Sequence, residues 1–223
     1  MADSSSNLYA DKNAGYFAKA RTEIEPLLPK RSERPLHVLE VGCAQGHTLE
    51  WLKTSGRCAW AAGVEPFAQV TVPAGVIDKF YRSNIEAELP DLEPASLDLI
   101  LCLDVLEHLI DPWKTVERLD TLLRPGGSFI ISVPNIRYYH ILIDLAFKGR
   151  FEYDSEGILD RTHLRFFTRS SAIDLAECSG AKVQAVITPG LHRWQKRLMA
   201  RLGLRDLLAK QLILHALKPE NHI

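Results

Sequence analysis

Short runs of apolar residues alternate along this chain with segments in which apolar and charged residues mix at helical spacing. Runs without polar positions are typical of strands buried on both faces of a parallel sheet. The alternation of strand and helix predicts an α/β fold, a doubly wound and mostly parallel sheet with helices on both faces. The apolar runs predict seven strands, at 36–41, 60–64, 79–81, 97–103, 128–133, 181–187 and 211–217.

Helices are indicated by their end signals. Asp111 followed by Pro112 gives an N-cap and a proline at the first helical position. Mixed patterns predict further helices at 14–28, from Thr48, at 169–178 and between the last two strands. Residues 135–165 follow no regular period, and we interpret 135–167 as an insertion. The chain therefore divides into a tail and helix at 1–35 and one α/β domain at 36–223.

Composition narrows the classes of function. Hydrophobic residues make up 46% of the 223, enough for a full core, and the net charge of −1 argues against nucleic acid as a partner. The four cysteines have neither metal-ligand spacing nor the look of a disulfide framework, which favours a reducing compartment. We see no signal peptide and no membrane-spanning run, and we expect a cytoplasmic protein.

The segment Glu40-Val41-Gly42-Cys43-Ala44-Gln45-Gly46 joins the first strand to the next helix. Ligands of open α/β sheets bind at such turns, beyond the carboxyl ends of the strands. The spacing G-x-x-x-G is not the dinucleotide fingerprint G-x-G-x-x-G. Carboxylates beside the loop suit the sulfonium and ammonium of S-adenosylmethionine (SAM), whereas Glu65, after the second strand, suits the ribose of either cofactor.

Several stretches together resemble the class I SAM-dependent methyltransferases. The matching stretches, in family order, are 38–46 (VLEVGCAQG), 63–66 (GVEP), 83–86 (SNIE), 96–112 (SLDLILCLDVLEHLIDP) and 123–127 (LRPGG). The resemblance implies a Rossmann-like seven-stranded sheet with an antiparallel last strand, an acceptor cap inserted after the fifth strand, and SAM as cofactor.

The resemblance also implies roles for single positions. Glu40, Gly42, Ala44 and Gly46 would line the methionine moiety and Glu65 would hold the ribose. Asn84 and Ile85 match the adenine contact, and Leu103 and Asp104 match the wall beside the cofactor. Ala44 stands where glycine is frequent and Asn84 where aspartate is frequent, and an amide can still bond an adenine edge.

The insertion carries the only sequence signal about the methyl acceptor. The string 157–168 (GILDRTHLRFFT) resembles a subgroup of bacterial methyltransferases found with glycosyltransferases and surface-polysaccharide synthesis. We therefore expect O-methylation of a sugar hydroxyl on a nucleotide-sugar or glycoconjugate precursor. Methylation of a quinone or another lipophilic small molecule is the alternative, and a non-catalytic SAM-binding partner subunit is another.

A hydroxyl acceptor calls for a base. His108 is our first choice and His163 our second, because both belong to segments that follow carboxyl ends of strands. Asn135, His140, Arg161 and Arg165 are expected to bind the acceptor. We expect the histidines and the polar residues of the insertion to meet in one cavity.

Asp104, Glu107, His108 and a later histidine also resemble the metal set of certain methyltransferases, but we expect no metal. Two segments, 138–147 and 193–205, suit contact with a membrane surface, the first by its apolar run and the second by a basic ridge beside an apolar stripe. A homodimer is also compatible with the sequence.

Overall fold

A computed structural model of the protein describes residues 19–29, 35–190, 192–204 and 206–220. Seven strands form one sheet in the order β3-β2-β1-β4-β5-β7-β6. The strands are β1 (Leu36–Val41), β2 (Cys58–Val64), β3 (Lys79–Tyr81), β4 (Leu97–Leu103), β5 (Leu123–Pro134), β6 (Lys182–Ile187) and β7 (Gln211–Leu217). The α-helices are α1 (His47–Thr54), α2 (Pro112–Asp120), α3 (Tyr139–Lys148), α4 (Arg169–Glu177) and α5 (Arg193–Arg201).

The residues of β4 show how the sheet separates two apolar layers. Leu99, Leu101 and Leu103 pack with the α1 side of the sheet, whereas Ile100 and Cys102 pack with the side of α2 and α4. Every residue of β4 is buried, as the unbroken apolar run predicts. The expected α/β fold is confirmed.

Strand directions place the functional edge. β1 pairs parallel with β2 and with β4, and β4 pairs parallel with β5. β7 runs antiparallel to both β5 and β6, which confirms the expected antiparallel last strand. The strand order reverses between β1 and β4, so the loops after these strands diverge and leave a crevice at their carboxyl ends.

Three expectations about element bounds need correction. In the described part of the predicted helix 14–28, only a 3₁₀ turn at Thr22–Leu27 forms, because Pro26 has no amide hydrogen to continue an α-helix. β5 begins at Leu123 rather than at residue 128, because Leu123 already pairs with Leu97 of β4. The register between the two strands then shifts before Leu99 pairs with Ser128, so the turn-rich residues 124–127 form an irregularity within β5.

The third correction concerns residues 135–165, which contain the helix α3. None of its residues is buried, so no core-facing period marks this helix in the sequence. The insertion is tied to the sheet by Asn135, which bridges to Phe167, and by the Ile136 amide, which donates to the Phe167 carbonyl. Within the described ranges, no helix has both the length and the apolar character needed to cross a bilayer.

Phe167 anchors the end of the insertion, since its side chain is 1% exposed and its ring centroid lies 6.5 Å from that of Trp113. Phe167→Ala should lower the free energy of unfolding by about 3–5 kcal/mol because it leaves a cavity in the core. Phe147→Ala, at an exposed position of α3, is the control and should change it by less than about 0.5 kcal/mol. Equal effects of both in urea denaturation would show that the insertion is not anchored by this ring.

Candidate active site

The loop after β1 folds tightly around the carboxyl end of β2. Gly42, Ala44 and Gly46 have left-handed φ angles of 68°, 46° and 80°. A Cβ at Gly42 would lie 2.4 Å from Val105 Cγ2, so glycine is needed there for space as well as for conformation. Ala44 takes the left-handed conformation at a steric cost of roughly 1–2 kcal/mol.

Glu40 ends up with its carboxylate inside the protein. The side chain is 4% exposed, and among the described residues Oε2 has no hydrogen-bond partner. Burial raises the pKa of Glu40 to about 8, although a hydrogen bond with Thr48 and the charge of Arg21 oppose the shift. A buried acid with an unused acceptor oxygen provides a place for a cationic ligand group.

Glu65 follows β2 and supports the same loop. Its carboxylate accepts the Ala44 amide at 3.1 Å and the Phe67 amide at 3.2 Å. Burial raises the pKa of Glu65, and these two backbone bonds oppose that rise. Each carboxylate oxygen keeps a second lone pair, so Glu65 can hold the loop and still accept hydroxyl groups of a ligand.

Asp104 follows β4 with a left-handed φ of 58°. Its carboxylate accepts hydrogen bonds from Arg21 Nη1 at 2.7 Å, Ser132 Oγ at 2.7 Å and Gln211 Nε2 at 2.5 Å. The Arg21 amide in turn donates to Thr48 Oγ1 at 3.3 Å. The segment before β1 is therefore fastened to the carboxyl edge of the sheet from two sides.

The remaining positions expected at the cofactor lie beyond β3 and along β4. Ile85 and Leu103 are buried, at 4% and 7% exposed. Asn84 is exposed, and its Oδ1 accepts the Glu86 amide at 3.0 Å, which leaves the amide NH₂ group to face a ligand.

These features fit SAM. Glu40 offers an unused buried carboxylate oxygen beside the loop, where a cationic group of the cofactor is stabilised. Glycine at position 42 lets the loop pack closely against Val105, and Glu65 offers free lone pairs to hydroxyls. A pyrophosphate would favour a cluster of basic side chains, and the described residues of this loop contain no such cluster.

On the acceptor side, the structure brings His108 and His163 together. His108 lies in the 3₁₀ turn Leu106–His108 that follows β4. The two imidazole rings meet edge to face, with 4.7 Å between their centroids. The insertion wraps this turn, because the Leu164 and Arg165 amides both donate to the Glu107 carbonyl, at 2.8 and 3.0 Å.

The hydrogen bonds of the two rings indicate where their protons sit. His108 Nδ1 lies 3.1 Å from the Thr162 carbonyl oxygen and His163 Nδ1 lies 2.9 Å from the Ile158 carbonyl oxygen. A carbonyl only accepts, so each Nδ1 carries hydrogen, and in a neutral ring the lone pair is on Nε2. His108 is partly exposed, whereas His163 is buried with its Nε2 4.0 Å from Glu107 Oε1. His108 therefore has the more accessible base nitrogen.

Glu107, His108 and His163 also offer three donor atoms within 4.8 Å of one another. A carboxylate with two imidazoles is a donor set that divalent transition metals accept. The same grouping can thus hold a metal ion as well as move a proton.

The four residues expected to bind the acceptor are either exposed or bonded to other groups. Asn135 is fully buried, and its amide donates to the Asp206 and Ala209 carbonyls, both at 2.8 Å. His140 is exposed on α3 beside Tyr139, and Arg161 is exposed. Arg165 donates to the Ile110 carbonyl at 3.2 Å and its guanidinium lies 5.8 Å from the Trp113 ring centroid.

The sequence analysis missed Arg21 and considered Glu107 only as part of a metal set. Arg21 lies in a segment with no motif, and nothing in the sequence pairs it with Asp104, 83 positions away. Glu107 precedes His108 in the D-x-x-E-H string, but only the structure shows that its carboxylate is buried, at 1% exposed, and faces His163.

Comparison with known proteins settles the family. The family model described as a methyltransferase domain matches residues 13–186, well over half of the chain. This chain belongs to that methyltransferase family. The family and the fold together make it a SAM-dependent methyltransferase, with SAM as its cofactor.

Curated relatives of this methyltransferase include two named ubiquinone biosynthesis O-methyltransferase. The protein from Colwellia psychrerythraea is 29% identical over 178 residues, which cover 76% of this chain and 70% of that protein. The protein from Cupriavidus pinatubonensis is 27% identical over 157 residues, covering 64% of this chain and 62% of its own. The match thus spans less than two thirds of the second relative.

Solved structures share the fold. A SAM-dependent methyltransferase from Mesorhizobium loti has a TM-score of 0.61 and 18% identity, covering 88% of this chain and 96% of that one. The 1,6-didemethyltoxoflavin-N1-methyltransferase of Burkholderia thailandensis, solved with S-adenosylhomocysteine, has a TM-score of 0.55 and 19% identity, covering 84% and 72%.

The buried acid predicts an unusual pH dependence of stability. The Glu40 pKa is about 8 in the folded protein and near 4.5 when unfolded, so the folded state retains a proton that the unfolded state releases between these values. Stability of the cofactor-free protein should therefore fall as pH rises from about 4.5 to 8. Glu40→Gln should raise the melting temperature at pH 8 and much less at pH 5.

The control for this prediction is Glu88→Gln, which makes the same change of charge at an exposed position. It should shift the melting temperature little at either pH. A Glu40→Gln shift that is the same at both pH values would contradict a protonated, buried Glu40.

Proposed function

We propose that this methyltransferase transfers the methyl group of SAM to a phenolic hydroxyl on the ring of a lipophilic, quinone-type small molecule. The observation that carries the proposal is the His108–His163 pair after β4, in which the partly exposed His108 packs against a His163 that is buried beside Glu107. The names of the two relatives support this acceptor over the sugar hydroxyl that the string at 157–168 favours.

The cofactor side follows from the carboxylates. Glu40 takes the ammonium of the methionine moiety, since its Oε2 lacks another partner among the described residues. Glu65 takes the ribose hydroxyls while it holds the Ala44 amide. Gly42, Ala44 and Gly46 let the backbone approach the ligand, and Asn84, Ile85, Leu103 and Asp104 form the rest of the wall. When bound, SAM supplies a methyl group on an electrophilic sulfonium.

The acceptor chemistry favours a phenol because the base is a histidine. A phenol has a pKa near 10, only a few units above that of imidazole, so His108 Nε2 can accept its proton as the oxygen forms the bond to the methyl carbon. Glu107 and His163 position the His108 ring and are not expected to touch the acceptor. The Thr162 carbonyl accepts the Nδ1 hydrogen and so favours the tautomer with its lone pair on Nε2.

Two exposed helices make the acceptor side apolar. α3 presents Leu142, Ile143, Leu145 and Phe147 to solvent, with Phe147 84% exposed. α5 presents Trp194 and Leu198 beside the exposed Arg197 and Arg201. The start of α3 is tied to the segment between α5 and β7, since the Tyr139 amide donates to the Leu207 carbonyl at 2.8 Å.

We infer that these helices rest on an anionic membrane from which a lipophilic acceptor is drawn, with the enzyme otherwise cytoplasmic. Apolar side chains beside arginines are the combination that such a surface attracts. Flotation with phosphatidylglycerol vesicles tests the contact, and a second copy covering the same helices is the competing outcome, visible as a dimer in sedimentation.

A sugar hydroxyl remains the second candidate acceptor. The observation in its favour is that Arg161 is exposed on the insertion, where it can bond hydroxyls or a phosphate of a nucleotide sugar. A sugar hydroxyl is a weaker acid than a phenol, so a lone histidine assists it less.

A methyl-transfer screen with labelled SAM separates these readings. Catechols with and without a prenyl chain should be methylated, and prenylated ones faster when presented in vesicles. Nucleotide sugars and deoxysugars should give little product. Turnover of sugars alone would overturn the phenol proposal, and tight SAM binding without turnover of any acceptor would favour a non-catalytic SAM-binding subunit.

His108→Ala should lower the rate of methyl transfer to catechol by about 10² or more, with SAM affinity nearly unchanged, because only proton transfer is lost. His140→Ala, an exposed histidine on α3, is the matched control and should keep the rate. Full activity of His108→Ala would remove this residue from the mechanism. Loss of wild-type activity on EDTA treatment, restored by Mn²⁺ or Mg²⁺, would assign the three donor atoms to a metal instead.

A further inference from the structure

The insertion contains three aromatic rings that pack on one another rather than into the core. Phe151 meets Phe166 and Tyr153 edge to face, with centroid separations of 5.7 and 5.8 Å. Tyr153 and Phe166 are 6.2 Å apart. Phe151 and Tyr153 remain 38% and 49% exposed, so ring faces of this aromatic cluster are open to a ligand.

The aromatic cluster lies close to the histidine pair. Phe166 is the third residue after His163, so their Cα atoms are at most about 11 Å apart. The chain between them is fixed by the two amides that donate to the Glu107 carbonyl. Phe167, the next residue, packs its ring into the core against Trp113, whereas the Phe166 ring contacts Phe151 and Tyr153.

The other side of the aromatic cluster is also held to the segment that carries His163. The Asp154 amide donates to the Leu159 carbonyl at 2.8 Å, and the Arg161 amide donates to the Asp154 carbonyl at 3.0 Å. Asp154 therefore pairs with the segment 159–161, which leads into His163. Both chain segments of the aromatic cluster are thus tied to the segment that carries His163.

We propose that Phe151, Tyr153 and Phe166 form the platform on which the aromatic ring of the acceptor stacks while its hydroxyl faces His108. This inference rests on the proposed function and adds the residues that select the acceptor. Three neutral rings with open faces match a planar apolar ring, and offset or edge-to-face contact with it is favourable. Such a platform explains selection for a ring without requiring a charged contact to the acceptor.

The test uses the full-length protein saturated with S-adenosylhomocysteine, and catechol as the probe. Phe166→Leu and Tyr153→Leu should each weaken catechol binding in calorimetry by roughly two- to tenfold. Under turnover, the KM for catechol should rise while kcat stays within about twofold, and Phe166→Tyr should restore both binding and KM. Trp60→Leu, which replaces a partly exposed ring near the amino end of β2, is the control and should change neither.

Opposite results are readily recognised. Unchanged catechol binding with a lowered melting temperature would show that the rings only stabilise the insertion, and would overturn the platform. If the two leucine variants lost more affinity for methyl rhamnoside than for catechol, the platform would be assigned to sugars and the proposed ring class would be overturned. If catechol binds through these rings but is never methylated, the proposed function alone is overturned. If catechol is methylated and its KM is unchanged in both leucine variants, the platform alone is overturned.

Discussion

The burial of the Glu40 carboxylate is the constraint on which the site depends. An acid removed from water at the end of a central strand destabilises the protein unless it is protonated or paired. Here the pKa is raised to about 8, and only Thr48 and the charge of Arg21 oppose the rise. Folding alone gains nothing from this arrangement, which is why we propose that a cationic group of the ligand binds beside the carboxylate.

The conformation of the loop at 42–46 follows from its place directly after Glu40. The chain must turn sharply after Glu40, and the left-handed residues Gly42 and Gly46 allow it to do so. Glu65 holds the middle of the loop from the neighbouring strand. On the other side of the crevice, the Glu107 carbonyl accepts two amides of the insertion, so the insertion is fixed to the turn that carries His108. The glycine loop and the His108 turn thereby lie at adjacent strand ends.

The sheet could be predicted from the sequence because buried parallel strands are unbroken apolar runs, and β1, β4 and β7 begin and end where those runs do. The helix α3 could not, since it buries no face and therefore shows no amphipathic period. The irregularity in β5 was hidden for a related reason, because a Pro-Gly-Gly string normally ends a strand, and only pairing with Leu97 reveals its continuation.

The site could be predicted where its residues follow strands that end at the same edge of the sheet. The loop at 42–46, Glu65 and the approach of His108 to His163 follow from strand ends that share one edge. The contact of Arg21 with Asp104 depends on tertiary packing and has no sequence signal. Asn135 shows the converse: a polar residue at a strand end, expected to bind a ligand, satisfies the backbone of the segment before β7 instead.

The most direct test of this account is to titrate the Glu40 carboxyl itself. Carbon-13 NMR of protein labelled at glutamate carboxyls, with Glu40→Gln to assign the signal, should give a pKa near 8 without ligand. Saturation with S-adenosylhomocysteine, which keeps the ammonium group, should lower that pKa by more than one unit. A Glu40 pKa near 4.5 in the free protein, or one that does not move when the ligand binds, would contradict the account.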